Sequence, residues 1–155
     1  LYVGLMIKNE NPYLIEFNVR MGDPECQTIL PLLENDLSEI FFDCCVGKLN
    51  EKKIKLSAKK SICIVLCSKG YPDDYKKDSE ISKLNKLSLK NNEYIYHAGT
   101  KLKNNKVLNS GGRVLNFVST SNNLKESRDD LIKLIKILDW KDGFFRKDIA
   151  YKVID

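Results

Sequence analysis

The sequence predicts an α+β protein made of antiparallel strands with a few covering helices, and three observations carry that prediction. The chain opens on two β-type apolar runs, residues 2–7 and 13–19, separated by the polar, turn-forming cluster Lys8-Asn9-Glu10-Asn11-Pro12. Short β-type runs recur at 61–68, 94–98, 106–108 and 113–118, punctuated by Asn104-Asn105 and Gly111-Gly112, dipeptides suited to tight hairpin turns. Apolar residues take helical spacing near 37–44 and again over 124–138.

Taken in order, the first two runs form a β-hairpin with the polar cluster as its turn. The first run is already under way at Leu1, with neither an initiator Met nor a cap, which leads to the expectation that the chain is a fragment. Gly22-Asp23-Pro24-Glu25 reads as a helix start, with Asp23 as N-cap, Pro24 at the first helical position and Glu25 in the first turn. Pro31 breaks that helix, because it lacks an N–H and crowds the preceding turn. A second helix restarts at Asn35-Asp36, carries Leu37, Ile40, Phe41 and Cys44 on helical spacing, and stops at Gly47. Residues 49–60 are lysine-rich and weakly patterned, as an exposed connection is, so the chain divides into 1–48, a linker at 49–60 and a second unit at 61–155. There, 61–68 reads as a buried strand leading into the loop Lys69-Gly70-Tyr71-Pro72. Residues 75–92 are polar and poorly periodic, and the later runs give a small antiparallel sheet. Leu124, Leu131, Ile132, Leu134, Ile135 and Leu138 fall near one helical face, with capping residues at 121–123 and with Lys125, Arg128 and Lys133 directed away: a helix that covers the sheet.

Composition excludes several classes. The 155 residues are 43% apolar and 30% charged, enough to bury a core and unlike a disordered or collagenous chain. The longest apolar stretches, such as 62–67, fall far short of the roughly 20 residues that cross a bilayer, and no N-terminal segment has the order of a signal peptide; a cytoplasmic protein without membrane attachment is expected. The net charge of +5 arises from 26 Lys and Arg against 21 Asp and Glu, and all but four of the cations (Arg20, Arg113, Arg128, Arg146) are lysines, scattered in doublets such as Lys52-Lys53, Lys59-Lys60 and Lys76-Lys77. Nucleic-acid readers concentrate charge among aromatics, so no nucleic-acid partner is expected. Five cysteines without secretory context argue against a disulfide framework, and with His97 the sole histidine a structural zinc site lacks ligands. The cysteines are expected to be reduced, buried and apolar in behaviour.

One stretch carries chemistry. In Ile15-Glu16-Phe17-Asn18-Val19-Arg20 the two-residue period of a strand puts Ile15, Phe17 and Val19 on a face that can pack a core, and Glu16, Asn18 and Arg20 on the other. Carboxylate and amide oxygens about 7 Å apart suit a Mg²⁺ ion shared with nucleotide phosphates, which takes few protein ligands. A guanidinium beside them stabilises charge on a phosphoryl group in transfer. Free N–H groups at the helix start after Gly22 can bind an anion. The polar outer face of a surface strand is the other reading of the same trio.

The run Glu16-Phe17-Asn18-Val19-Arg20-Met21-Gly22-Asp23-Pro24-Glu25, followed by Gln27 and Leu30-Pro31-Leu32-Leu33, resembles the last metal-binding strand and following helix of the ATP-grasp domain in the glycinamide ribonucleotide synthetase family, the phosphoribosylamine–glycine ligases. Ser68-Lys69-Gly70-Tyr71-Pro72, His97-Ala98-Gly99-Thr100-Lys101, Gly111-Gly112-Arg113-Val114-Leu115 and Phe145-Arg146-Lys147-Asp148-Ile149 agree with it in order, so the resemblance covers essentially the whole chain. Met21 stands where an aromatic is common and Cys26 where Thr is common. The resemblance implies the C-terminal portion of an ATP-grasp domain, antiparallel strands plus helix, followed by a small β-rich C-terminal domain with a covering helix.

It also implies a reaction: ATP, glycine and 5-phosphoribosylamine give glycinamide ribonucleotide, ADP and phosphate through glycyl phosphate, in de novo purine biosynthesis. Glu16 and Asn18 are then ligands of Mg²⁺ or Mn²⁺, and Arg20 is the catalytic contact to the transferred phosphoryl group or the glycine carboxylate. Asp23 holds a substrate amine, with the N-cap reading standing beside it. Gly111, Gly112 and Arg113 surround the ribose phosphate, with a hairpin turn and an exposed Arg as the alternative. His97 and Lys101 receive no role, and Lys69, Tyr71 and Pro72 form a loop facing the cleft. Family members hold adenine and phosphates through segments preceding this region, so these residues are expected to be inactive alone; a monomer is expected. Another ATP-grasp ligase or carboxylase, or a basic β-domain binding nucleic acid, are the rival readings.

Overall fold

Strands β1 (Tyr2–Lys8) and β2 (Asn11–Asn18) pair antiparallel around Asn9-Glu10, both at positive φ (50° and 62°), in a computed structural model that describes residues 2–51 and 53–154. Leu1, on which the expected strand start falls, lies outside the described residues, as do Lys52 of the first lysine doublet and Asp155. The hairpin is as expected, but its faces differ. The register passes from Gly4↔Glu16 to Leu5↔Leu14, so Ile15 is an extra residue in β2 and the strict alternation breaks there. β2 also ends at Asn18, leaving Val19 and Arg20 in a bend. Ile15, Phe17 and Val19 are 61%, 60% and 97% exposed, which corrects the expectation that they pack a core within this chain.

Helix α1 (Glu25–Ile29) starts one residue late. Pro24 holds the N-cap position without a side-chain cap, and Asp23 lies outside the helix beyond a cis Asp23-Pro24 bond, which corrects the N-cap reading of Asp23. A single-turn helix also carries only a weak dipole, so its N-terminus is a poor anion site by itself. A 3₁₀ turn at Leu30–Leu32 carries Pro31. Helix α2 (Leu37–Cys45) begins as expected on Asp36, whose carboxylate accepts from the N–H groups of Ser38 (2.8 Å) and Glu39 (3.3 Å), and Gly47 follows its end at φ 73°. Residues 53–57 then run back beside 32–35, Ser57 N–H donating to Leu32 C=O (2.8 Å) and Glu34 N–H to Lys55 C=O (3.0 Å).

The remaining elements are β3 (Lys60–Ser68), β4 (Glu93–His97), β5 (Thr100–Lys103), β6 (Lys106–Asn109), β7 (Arg113–Ser121), α3 (Leu124–Leu138), β8 (Gly143–Phe144) and α4 (Tyr151–Ile154). A four-stranded sheet in the order β4-β7-β3-β8 pairs antiparallel throughout, and β5 with β6 form a separate ribbon around Asn104-Asn105, both at positive φ. This is the α+β class expected. Two strands were not anticipated: β5 places Leu102, 73% exposed, between lysines, so no apolar run marks it, and β8 has only two residues.

The core forms where α3 packs on β3 and β7. Ile62, Ile64 and Leu66 from β3, Val114, Leu115 and Phe117 from β7, and Leu131, Leu134, Ile135 and Leu138 from α3 are buried together, with Ile81 from the polar stretch. Leu124 and Ile132 are partly buried against them. Asn123 caps α3 through its side-chain oxygen. Arg128 departs from the outward orientation expected: its Nη2 donates to the Lys147 carbonyl and anchors the C-terminal segment. The opposite face of the sheet, bearing Cys63, packs against α1. Cys63 and Cys67 are buried, whereas Cys44 and Cys45 are exposed on α2, correcting the expectation of burial for that pair. Among the described residues, no helix is long and apolar enough to cross a membrane.

Candidate functional site at the hairpin–sheet junction

The polar edge of β2 is built by cross-strand pairing. Glu16 lies opposite Gly4, where a Cβ would sit 3.1 Å from Glu16 Cγ, so the glycine leaves the space that the Glu16 stem occupies. Asn18 lies opposite Tyr2. The Tyr2 phenol is raised above its ordinary range by the charge of Glu25, then by burial, by its hydrogen bond to Glu25, and by Glu16. Glu25 thus joins the row from the start of α1.

Arg113, the first residue of β7, reaches this edge from the sheet. Its Nη2 lies 3.2 Å from Asp23 Oδ2 and its Nη1 donates to the Asp23 carbonyl at 3.2 Å. Asp23 is therefore a counter-ion joining the two parts of the chain. Around this pair is a cavity of about 230 Å³ lined by Glu16, Asn18, Arg20, Asp23, Glu25 and Arg113, among others. It holds three carboxylates, one amide and two guanidinium groups.

A second cavity of about 630 Å³ shares Arg20, Asp23 and Arg113 and extends over Met21, Cys26, Gln27, Leu30 and Tyr96. Its lining combines two guanidinium groups and a carboxylate with apolar Met21 and Leu30. Tyr96 stacks on Tyr94, centroids 6.1 Å apart and planes within 7°, and its phenol is raised chiefly by burial, with Tyr94 adding. Gln27 Nε2 donates to Asp23 Oδ1 at 3.2 Å. Arg20 folds back, Nη1 donating to the Met21 carbonyl at 3.0 Å.

Of the residues singled out in the sequence, Glu16, Asn18, Arg20, Asp23 and Arg113 thus share one cavity. Gly111 and Gly112 directly precede Arg113 but line neither cavity. Gly111 N–H donates to Gly99 C=O (3.2 Å), and a side chain at Gly112 would run into the Tyr71 ring. Tyr71 itself meets Tyr75 edge-on at 6.3 Å. His97 Nδ1 pairs with Thr100 Oγ1 at 2.9 Å, and Lys101 pairs with Asp78. Tyr2, Glu25 and Tyr96 are site residues that sequence reasoning missed. Tyr2 was recoverable from the hairpin register, whereas Tyr96 arrives through a strand order that no local signal encodes.

The donor set fits a hard divalent cation. Glu16 and Asn18 offer a carboxylate and an amide oxygen side by side, and Glu25 and Asp23 line the same cavity. Although three carboxylates line this cavity, among the described residues no group of three or more His, Cys, Asp or Glu side chains is close enough together to hold a metal ion by itself.

Fold and site define an α+β domain: an antiparallel sheet with one covering helix, met at its end by a hairpin whose edge carries Glu16 and Asn18. Residues 61–152 match the family described as phosphoribosylglycinamide synthetase, C domain. The chain belongs to the phosphoribosylglycinamide synthetase family. It is 43% identical over 150 residues to a phosphoribosylamine–glycine ligase of Caldanaerobacter subterraneus subsp. tengcongensis, covering 97% of this chain and 35% of that protein. It is 39% identical over 155 residues to the trifunctional purine biosynthetic protein adenosine-3 of Gallus gallus, covering 99% of this chain and 15% of that one. The crystal structure of phosphoribosylamine–glycine ligase from Thermotoga maritima is similar to it with a TM-score of 0.72 at 30% identity, over 96% of this chain and 36% of that one. The chain thus spans about a third of the length of the bacterial ligases it matches.

Proposed function

We propose that this chain supplies the C-terminal part of an ATP-dependent ligase that joins glycine to 5-phosphoribosylamine in purine biosynthesis. The observation that carries the reading is the meeting of Glu16 and Asn18 on the hairpin with Arg113 on the sheet around one cavity, in a chain similar over nearly its whole length to proteins named for that activity. In the reaction the glycine carboxylate attacks the γ-phosphate of ATP, releasing ADP and leaving glycyl phosphate. The amine of phosphoribosylamine then attacks the activated carbonyl, the C–N bond forms, and phosphate leaves.

Positioning and charge neutralisation dominate such chemistry. Glu16 and Asn18 hold Mg²⁺, or Mn²⁺, which when bound neutralises charge on the ATP phosphates. Arg20 leaves the Met21 carbonyl to meet the transferred phosphoryl group or the glycine carboxylate. Arg113, with Gly111 and Gly112 behind it, takes the ribose phosphate in exchange for the Asp23 carboxylate, which is then free to accept from a substrate amine. The reading places the enzyme in the cytoplasm as a monomer, with no nucleic-acid or membrane partner, and assigns no turnover to these residues alone.

In the full-length protein, Glu16→Ala and Asn18→Ala should each lower activity on the order of a hundredfold at limiting Mg²⁺, with partial recovery at high Mg²⁺. Normal turnover of glycine and phosphoribosylamine by both variants at limiting Mg²⁺ would show the ligand assignment to be wrong.

A further inference from the structure

We infer that Ser68 and Asn109 form a buried relay that positions Arg113, making Ser68 a positioning residue for the anionic substrate of the proposed ligase; this rests on the reading of Arg113 given above.

Ser68, the last residue of β3, is 1% exposed. Its hydroxyl donates to the Gly111 carbonyl (2.8 Å) and accepts from Asn109 Nδ2 (2.9 Å), while its N–H donates to the Gly112 carbonyl (2.7 Å). One residue therefore holds both carbonyls of the segment leading into Arg113. Asn109, 0% exposed, leaves no polar atom idle. Its Nδ2 also donates to the Lys76 carbonyl (2.6 Å), its Oδ1 accepts from Ser79 N–H (2.7 Å), its N–H donates to the Ser79 carbonyl (3.0 Å), and its carbonyl accepts from Asp78 N–H (3.0 Å).

The backbone is irregular at the same place. The β3–β7 register passes from Leu66↔Leu115 to Cys67↔Arg113, so Val114 is an extra residue in β7. Such a bulge re-aims the neighbouring side chain. Arg113 C=O accepts from Gly99 N–H at 2.8 Å, and a Cβ at Gly99 would lie 2.6 Å from that oxygen. The start of β7 is thus clamped by Ser68 on one side and Gly99 on the other. The guanidinium is a planar, pre-organised fork, so the backbone that carries it sets where the fork can reach. A fully satisfied buried polar network specifies one geometry, which a sheet end packed with apolar groups of equal bulk does not require.

The test is a double-mutant cycle in the full-length protein. Ser68→Ala removes both hydroxyl hydrogen bonds and should raise the KM for phosphoribosylamine about fivefold, since only part of their loss reaches the substrate through Arg113, and leave the KM values for ATP and glycine unchanged. Arg113→Ala should raise it further, and the double variant should be no worse than Arg113→Ala alone, because Ser68 acts through Arg113. If Ser68→Ala lowers Tm while leaving that KM unchanged, or if its effect adds in full to that of Arg113→Ala, Ser68 is structural only and the inference is overturned. If Arg113→Ala itself leaves the KM for phosphoribosylamine unchanged, the reading of Arg113 fails first and the relay has nothing to position. Should Ser68→Ala not fold, Ser68→Cys, which keeps the bulk but weakens both hydroxyl hydrogen bonds, must give the same KM split; an even loss across all three substrates overturns the inference.

Discussion

Cys63 lies on the face of the sheet that looks toward the site, and its environment reports the charge there. Burial pushes its thiol up to about 12, with the Asp23 and Glu25 carboxylates adding to the shift. Burial also raises Cys67, but there the Arg113 guanidinium opposes it. A thiol held this high stays protonated through neutral pH and is a poor nucleophile, since the thiolate is the reactive form. Cys44 and Cys45 stand exposed on α2. In the native protein at mild alkaline pH, iodoacetamide should modify Cys44 and Cys45 well before Cys63 and Cys67, which should react only on denaturation. Peptide mapping that found Cys63 alkylated as fast as Cys44 would contradict the burial and the carboxylate-rich setting together.

Among the elements, α3 and α1 differ in how their ends are held. Asn123 Oδ1 accepts from Lys125 N–H (3.0 Å) and Glu126 N–H (3.2 Å), whereas α1 has Pro24 at its N-cap and no side-chain cap. Asn123→Ala should cost about 1 kcal/mol of stability in denaturant unfolding without changing the slope of the transition. No loss would mean that tertiary packing alone holds the end of α3. Caps, tight turns and the apolar stripe of α3 were readable in the sequence because each depends on residues within a few positions of one another. The Glu16 and Asn18 pair was readable for the same reason. The bulge at Ile15 was not, since it arises from how β2 meets β1, and the N-cap expected at Asp23 failed, its carboxylate pairing instead with Arg113, 90 residues away. Ser68 pairs with groups 41 and 43 residues distant, which no local pattern announces.

Across the molecule, the two parts of the chain bury their surfaces very differently. The core gathers on the sheet beneath α3, while among the described residues before β3 only Ile40 is a buried apolar side chain, and it is still 9% exposed. The hairpin exposes Leu5, Met6, Ile7, Leu14 and Phe17, and α2 exposes Phe41 and Phe42. What fixes the hairpin against the sheet in this chain includes the Asp23–Arg113 pair, so the site also serves as a joint between the parts. The most direct measurement is ADP release by the full-length protein with Mg²⁺ and ATP, with glycine and phosphoribosylamine each added or withheld. Sustained release that needs both substrates, with one glycinamide ribonucleotide formed per ADP, is the expected result. Release that needs bicarbonate in their place, or none with both substrates present, would contradict the ligase reading.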